Sequence, residues 1–229
     1  MNKNALNTAE IMGLSDKHLV AVGNEHFLHN EIADAFFIMQ KEAAIAGVDM
    51  QICSSFRSFD KQLSIWNRKW IGDLPLYTLD NKLLIANSLS EQEKIHAIML
   101  WSALPGASRH HWGTDFDVYD KSSVERHHHD FQLIPSEYET NGPCAALSMW
   151  ISNNAARYGF YLPYSKYLGG VAVEPWHISN IEVASRIQSS FQLDDLYAQL
   201  EQADILGKEA ILKLLPALVS QYTFNKGPA

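Results

Sequence analysis

The spacing of apolar residues changes period several times along the chain, and each change marks an element. Between residues 27 and 46, Phe27, Ile32, Ala35, Phe36, Met39 and Ala43 recur at helical spacing, and Gly47 follows as a natural C-terminal cap. The apolar run over 48–54 predicts a buried strand, and 59–70 a helix that carries Gln62. A further helix is expected over 91–103, opened by a capping box of Ser90 and Glu93 and stopped by Pro105-Gly106. Phe116-Asp117-Val118-Tyr119 alternates as a strand does. Residues 121–143 are polar and rich in turn formers, an excursion at the rim of whatever the neighbouring strands enclose. A helix over 145–158 ends at Gly159, and Tyr161 and the stretch 171–178 return to the sheet. Beyond about residue 180 the pattern turns helical. Leu193–Leu206 and Lys208–Tyr222 read as a helical hairpin broken at Gly207, with Pro216 expected to kink its second arm.

Composition narrows the class. The chain has 229 residues, 47% of them apolar, enough for one well-buried domain with appendages. It contains no run of about 18 apolar residues, so no membrane span is expected. The stretch from Met1 to Leu14 has no apolar core followed by a cleavage site and does not read as a signal peptide. The net charge is −8, and no basic patch or wall-anchoring repeat is present. This argues against nucleic acid or a polyanionic cell wall as a partner. The expectation is a soluble cytoplasmic enzyme acting on small fragments. Cys53 and Cys144 are expected as two buried thiols rather than a disulfide.

Two segments carry the chemistry. Residues 108–117 read Ser-Arg-His-His-Trp-Gly-Thr-Asp-Phe-Asp, and residues 174–177 read Glu-Pro-Trp-His. They supply two imidazoles, His110 and His177, and a carboxylate, Asp117. That set can ligate one zinc ion and leave the fourth tetrahedral position open, as catalytic rather than structural zinc sites do. Glu174 is a spare carboxylate beside the second imidazole. Pro175 excludes a helix running through Glu174 and His177, so both are expected at a strand end or turn.

The pattern Ser108-x-His110-x-x-Gly113-x-x-x-Asp117, followed by Glu174-x-Trp176-His177, resembles the signature of the VanY-type zinc D-alanyl-D-alanine carboxypeptidases, which share a fold with the Hedgehog signalling domain. A third block, Ser54-Ser55-Phe56-Arg57-Ser58 with Gln62 after it, is similar to that family's Ser-Gly-Tyr-Arg-Ser. The resemblance covers roughly residues 30 to 180, and three blocks in the right order are a specific signal. It departs at Asp115, where the family has Ala. Asp115 and Asp117 point to the same side of a strand; Asp117 is taken as the ligand because its spacing from His110 matches the family.

The resemblance and the element order together imply an α+β fold. A small, mainly antiparallel sheet is flanked by helices, with a zinc peptidase domain over 1–182 and a helical appendage over 183–229 packed on it. They imply Zn²⁺ held by His110, Asp117 and His177, Glu174 as general base and then acid, and Arg57 at the oxyanion or the substrate carboxylate. Ser108 and Gln62 are candidates for the terminal carboxylate, and Trp176 for a pocket wall. Asp115 is a candidate contact for a cationic substrate group, or a partner orienting a ligand, or a solvated strand-end charge. His111 is either a transition-state donor or packing, and His127-His128-His129 reads as a solvated loop. The implied reaction is release of a terminal D-Ala from peptidoglycan-type peptides. L,D cleavage of tetrapeptide muropeptides in cell-wall recycling is expected; the alternatives are D,D cleavage of D-Ala-D-Ala ends and a zinc-binding module without catalysis. Oligomeric state is left open.

Overall fold

Turn chemistry and side-chain alternation set the elements of the computed structural model, which describes residues 6–226. A short helix α1 (Thr8–Ile11) precedes a hairpin of β1 (Leu19–Gly23) and β2 (His26–His29). Helix α2 (Ala33–Ile45) and strand β3 (Met50–Ser54) follow, then α3 (Phe59–Ile71), the short pair β4 (Leu76–Tyr77) and β5 (Leu83–Leu84), and α4 (Glu91–Leu100). A 3₁₀ turn at Arg109–Trp112 leads into β6 (Asp115–Asp120), α5 (Lys121–Arg126) and α6 (Ala145–Asn154). Strands β7 (Phe160–Tyr161) and β8 (His177–Asn180) precede α7 (Ile181–Ser190), α8 (Leu193–Gln202) and α9 (Lys208–Leu218), which runs into a π turn over Val219–Thr223. Met1–Ala5, the start of the stretch weighed as a signal peptide, and the last three residues of the appendage lie outside the described residues.

The main sheet is antiparallel throughout, in the order β3-β6-β8-β7. Alternation along its central strands divides the molecule. Phe116, Val118 and Ile178 point into one core, against Phe36 and Met39 of α2, Leu147 and Ile151 of α6, and Val183 of α7. Asp115, Asp117, His177 and Ser179 occupy the alternate positions, with Asp115 paired to Ser179 and Asp117 to His177 across the strands. A second core joins Phe59 and Trp66 of α3, Ile95 and Ile98 of α4, and Leu196, Leu200, Ile211 and Leu215 of the C-terminal hairpin. Burying each such side chain stabilises the fold by roughly 1.5–3 kcal/mol. Trp66 and Asn67 tie the hairpin's turn to α3 through the Leu206 carbonyl (3.0 Å) and the Asp204 carbonyl (2.8 Å). Gly207 sits there at φ +76°, where a Cβ would lie 2.1 Å from the Trp70 ring. The expected boundary at 182/183 falls inside α7.

Several expected boundaries move. Phe27 does not start a helix: Asn24 and Glu25 both adopt positive φ (48° and 63°), the turn makes a hairpin, and Phe27 pairs with Ala21. Helix α4 ends at Leu100 rather than 103, and the 145–158 segment changes from α to 3₁₀ at Ala155 before Gly159 caps it. The strand expected over 171–178 begins only at His177. Ahead of it Ala172 donates to the Leu100 carbonyl at the end of α4 and Glu174 to the Tyr164 carbonyl, and the stretch meets the sheet only where the Val118 N–H donates to the Trp176 carbonyl. Pro216 lies inside α9, whose pattern gives way to the π turn three residues later. The β4–β5 pair had no clear signal in the sequence. No helix among the described residues is long and apolar enough to cross a membrane.

Candidate metal centre and catalytic cleft

The pairing of β6 with β8 brings Asp117 beside His177, and the 3₁₀ turn ahead of β6 presents His110 to the same space. The candidate ligand atoms of His110, Asp117 and His177 lie within 4.8 Å of one another, and all three residues are buried. Hydrogen bonds on the far side of each ring fix which nitrogen faces inward. His110 Nδ1 lies 2.9 Å from the Ser55 carbonyl, which can only accept, so Nδ1 carries the proton and the Nε2 lone pair faces Asp117 Oδ2 at 3.5 Å. His177 Nε2 lies 3.0 Å from Asp115 Oδ1, which leaves Nδ1 facing Asp117 Oδ1 at 3.1 Å. A neutral imidazole would there set one acceptor against another, so the site needs a cation between them. In the metal-free protein that cation is a proton. Burial opposes it, but the bonds to Asp115 and Asp117 outweigh burial and raise the His177 pKa to about 10. A divalent metal satisfies the same lone pairs, and two imidazoles with one carboxylate suit zinc.

Asp115 is not a substrate contact and not a solvated charge. It is fully buried, and its four bonds are all internal: Arg109 Nε at 2.7 Å and His177 Nε2 at 3.0 Å on Oδ1, Thr114 Oγ1 at 2.7 Å and Ser179 Oγ at 3.1 Å on Oδ2. Burial alone would raise its pKa; the Arg109 guanidinium and the His177 bond reverse that and hold it far below the usual carboxylate range. Arg109 in turn donates to Ser179 Oγ (2.7 Å) and Tyr161 Oη (3.3 Å) and lies over the Trp112 ring. Asp115 therefore holds the His177 ring rather than a ligand. Sequence reasoning missed Arg109, although an Asp where an apolar residue is usual calls for a buried cation nearby.

Glu174 precedes β8 in a tight turn closed by His177 N–H on the Glu174 carbonyl (3.2 Å), as Pro175 suggested. Its Oε2 lies 3.5 Å from His177 Nδ1, and burial pushes its pKa up to about 7. A carboxylate poised there can accept a proton at neutral pH and give it back. Arg57 follows β3. Its Nη1 donates to Gln62 Oε1 (2.7 Å) and its Nη2 to Ser54 Oγ (3.1 Å), while its backbone N–H donates to the His110 carbonyl (3.2 Å).

Gln62 is likewise corrected as a substrate contact. It is fully buried, and its amide is spent on Arg57, Ser102 Oγ (3.1 Å) and the Ala103 carbonyl (2.7 Å). His111 Nε2 accepts from the Gly106 N–H (3.0 Å), so its Nδ1 donates to the Arg57 carbonyl. With both nitrogens committed it clamps the backbone at Arg57 and is no transition-state donor. Ser108 Oγ is buried without a partner and borders the cleft. Trp176 is a cleft wall, stacked on Trp101 with centroids 6.4 Å apart.

The cleft has a volume of about 350 Å³. Its rim takes Gln132–Pro135 from the polar excursion, Tyr77 and Asn81 from the β4–β5 hairpin, and Tyr222 and Thr223 from the C-terminal π turn. Lys69 also borders it, a residue that the motifs did not single out. His127–His129 lie apart on an exposed turn, with His129 on Glu137 (2.8 Å). Both cysteines are free thiols, Cys144 buried and Cys53 partly so.

A family model for VanY D-alanyl-D-alanine carboxypeptidases matches residues 25–183. The chain belongs to the VanY D-alanyl-D-alanine carboxypeptidase family, and is thus an enzyme of the carboxypeptidase class. An uncharacterized protein of Haemophilus influenzae is 33% identical over 121 residues, 52% of this chain and 92% of that protein. A putative carboxypeptidase of Bacillus subtilis, YodJ, is 26% identical over 157 residues, 67% of this chain and 46% of that protein. Among solved structures, VanYB in complex with D-Ala-D-Ala superposes with a TM-score of 0.52 at 22% identity, covering 80% of this chain and 90% of that one. The LdcB LD-carboxypeptidase gives 0.53 at 21% identity, covering 92% and 78%. These two likenesses establish the shared fold.

Proposed function

We propose that this protein is a zinc-dependent carboxypeptidase that releases a terminal D-alanine from peptidoglycan-derived peptides, with His110 Nε2, Asp117 and His177 Nδ1 as the metal ligands. The observation that carries the reading is the convergence of these three acceptors on one point with Glu174 beside it. Zinc bound there supplies Lewis acidity toward the scissile carbonyl and lowers the pKa of water. Glu174 takes the proton of the attacking water as the oxygen adds to the carbonyl carbon, and returns it to the amide nitrogen as the C–N bond breaks. Arg57, steadied by Gln62 and Ser54, turns its remaining N–H groups to the negative charge that develops on the carbonyl oxygen. Trp176 walls the cleft, and the unpartnered Ser108 hydroxyl is available to substrate. A zinc-binding module would need neither Glu174 nor Arg57 at this spot.

Within this class we propose L,D cleavage of tetrapeptide muropeptides, in cytoplasmic recycling. The net charge of −8, which disfavours the polyanionic wall, supports it. D,D cleavage of D-Ala-D-Ala ends is the second reading, favoured by the family's own description. Mass spectrometry of a mixed tetrapeptide and pentapeptide muropeptide pool, incubated with zinc-loaded protein or its Glu174→Ala variant, separates them. Loss of one alanine from the tetrapeptide is expected, slowed about 10²–10⁴-fold in the variant. Conversion of pentapeptide only, stopping at tetrapeptide, makes it a D,D-enzyme, and an unchanged pool refutes the carboxypeptidase reading.

A further inference from the structure

The cleft holds a cation that the proposed chemistry leaves unused. Lys69 lies on α3 seven residues after Gln62, so both side chains emerge from nearly the same face, about 10 Å apart along the helix axis. Gln62 is spent on Arg57, whereas Lys69 borders the cleft half-buried. Among the described residues Lys69 forms no ion pair; Glu174 makes its ion-pair contact with His177, and Arg57 bonds Gln62 and Ser54. Lys69 lines the same cleft as Arg57, Glu174 and the candidate metal ligands. Burial, then the Arg57 charge, pushes its pKa down to about 8, with Glu174 acting the other way. The buried Ser108 hydroxyl borders the same cleft without a partner.

We propose that Lys69 binds the free carboxylate of the residue that is released, and so makes this cleft select chain ends. The inference rests on Glu174 as the group that hands a proton to the leaving nitrogen. The terminal carboxylate carbon is two bonds from that nitrogen, and Lys69 is a cation of the same cleft whose charge the proposed chemistry does not use. Gln62, already committed to Arg57, cannot take this role.

The test uses zinc-loaded wild-type protein and Lys69→Met with diacetyl-L-Lys-D-Ala and diacetyl-L-Lys-D-Ala-D-Ala, each as the free acid and as the C-terminal amide. Loss of a charge-assisted contact is expected to raise KM for the acids about ten- to hundredfold, with kcat within about threefold. The preference of acid over amide should collapse toward one, and Lys69→Arg should restore most of it. An unchanged acid-to-amide ratio in Lys69→Met, or a fall in kcat with KM preserved, overturns the proposal. Calorimetric binding of the same acids and amides to Glu174→Gln, with and without Lys69→Met, gives a readout without turnover. If Lys69→Met leaves the acid preference in binding intact, the proposal fails whether or not the wild type is a carboxypeptidase. Failure of the wild type to hydrolyse any of the four, with the acid preference in binding lost on Lys69→Met, counts against the peptidase reading and not against the Lys69 site.

Discussion

Asp115→Ala separates fold stability from metal binding in one residue. Among the described residues Asp115 is the only anion in contact with Arg109, whose other partners, Ser179, Tyr161 and Gln188, are neutral. Arg109 is itself buried, so truncating the carboxylate strands a guanidinium inside the protein, which costs about 3–5 kcal/mol. The same change removes the acceptor that holds His177 Nε2–H and keeps Nδ1 turned to Asp117. Losing such an outer partner of a ligand lowers metal affinity by about 10–100-fold. Urea denaturation of the metal-free protein reads the first effect, and zinc competition against a chromophoric chelator reads the second. The double variant Asp115→Ala/Arg109→Met divides them: with no stranded charge, much of the stability returns, while zinc affinity stays low because His177 is still unheld. A single variant that loses less than about 1 kcal/mol, a typical surface value, with unchanged zinc affinity would refute the reasoning. So would a double variant that recovers zinc affinity together with stability.

Two further outcomes follow from the same geometry. The His177 pKa is raised in the folded, metal-free protein to about 10, so its contribution is complete below the unfolded value of about 6.5 and drains away as pH rises. Metal-free protein should lose stability between pH 6.5 and 8 by up to about 1.4 kcal/mol per unit; urea midpoints that are flat over that window, or that fall equally in His177→Gln, contradict it. Gly207→Ala puts a methyl group into the Trp70 ring at a positive φ, and should cost about 1–3 kcal/mol while leaving zinc affinity unchanged, since neither Gly207 nor Trp70 lines the cleft.

How much of this was legible depended on whether the signal was local. The Ser90–Glu93 capping box, the Gly47 and Gly159 helix ends, and the strand through Asp117 rest on interactions within a few residues, and the alternation or cap chemistry states them outright. Phe27 falls in phase with the following helix yet pairs in a hairpin, whose turn at Asn24-Glu25 carries no glycine. The candidate ligands share two short segments, so spacing exposed them. Lys69 and Arg109 did not stand out, because what makes them notable is a neighbour far along the chain or the absence of one.

The sequence by itself determined the kinds of group present, the periodicities that make the helices and strands, and a motif order that resembles the VanY-type carboxypeptidases. Tertiary structure alone decided what each group faces. Asp115 and Asp117 are two residues apart on one side of one strand, yet one faces Arg109 and the far nitrogen of His177 while the other faces two imidazole lone pairs. Gln62 and Lys69 share a helix face, yet one is consumed inside the protein and the other is left to the cleft. The reason is physical: the role of a charge or lone pair is set by what lies within a few ångströms of it and by how much water is excluded there, and both depend on strands and helices distant in the chain.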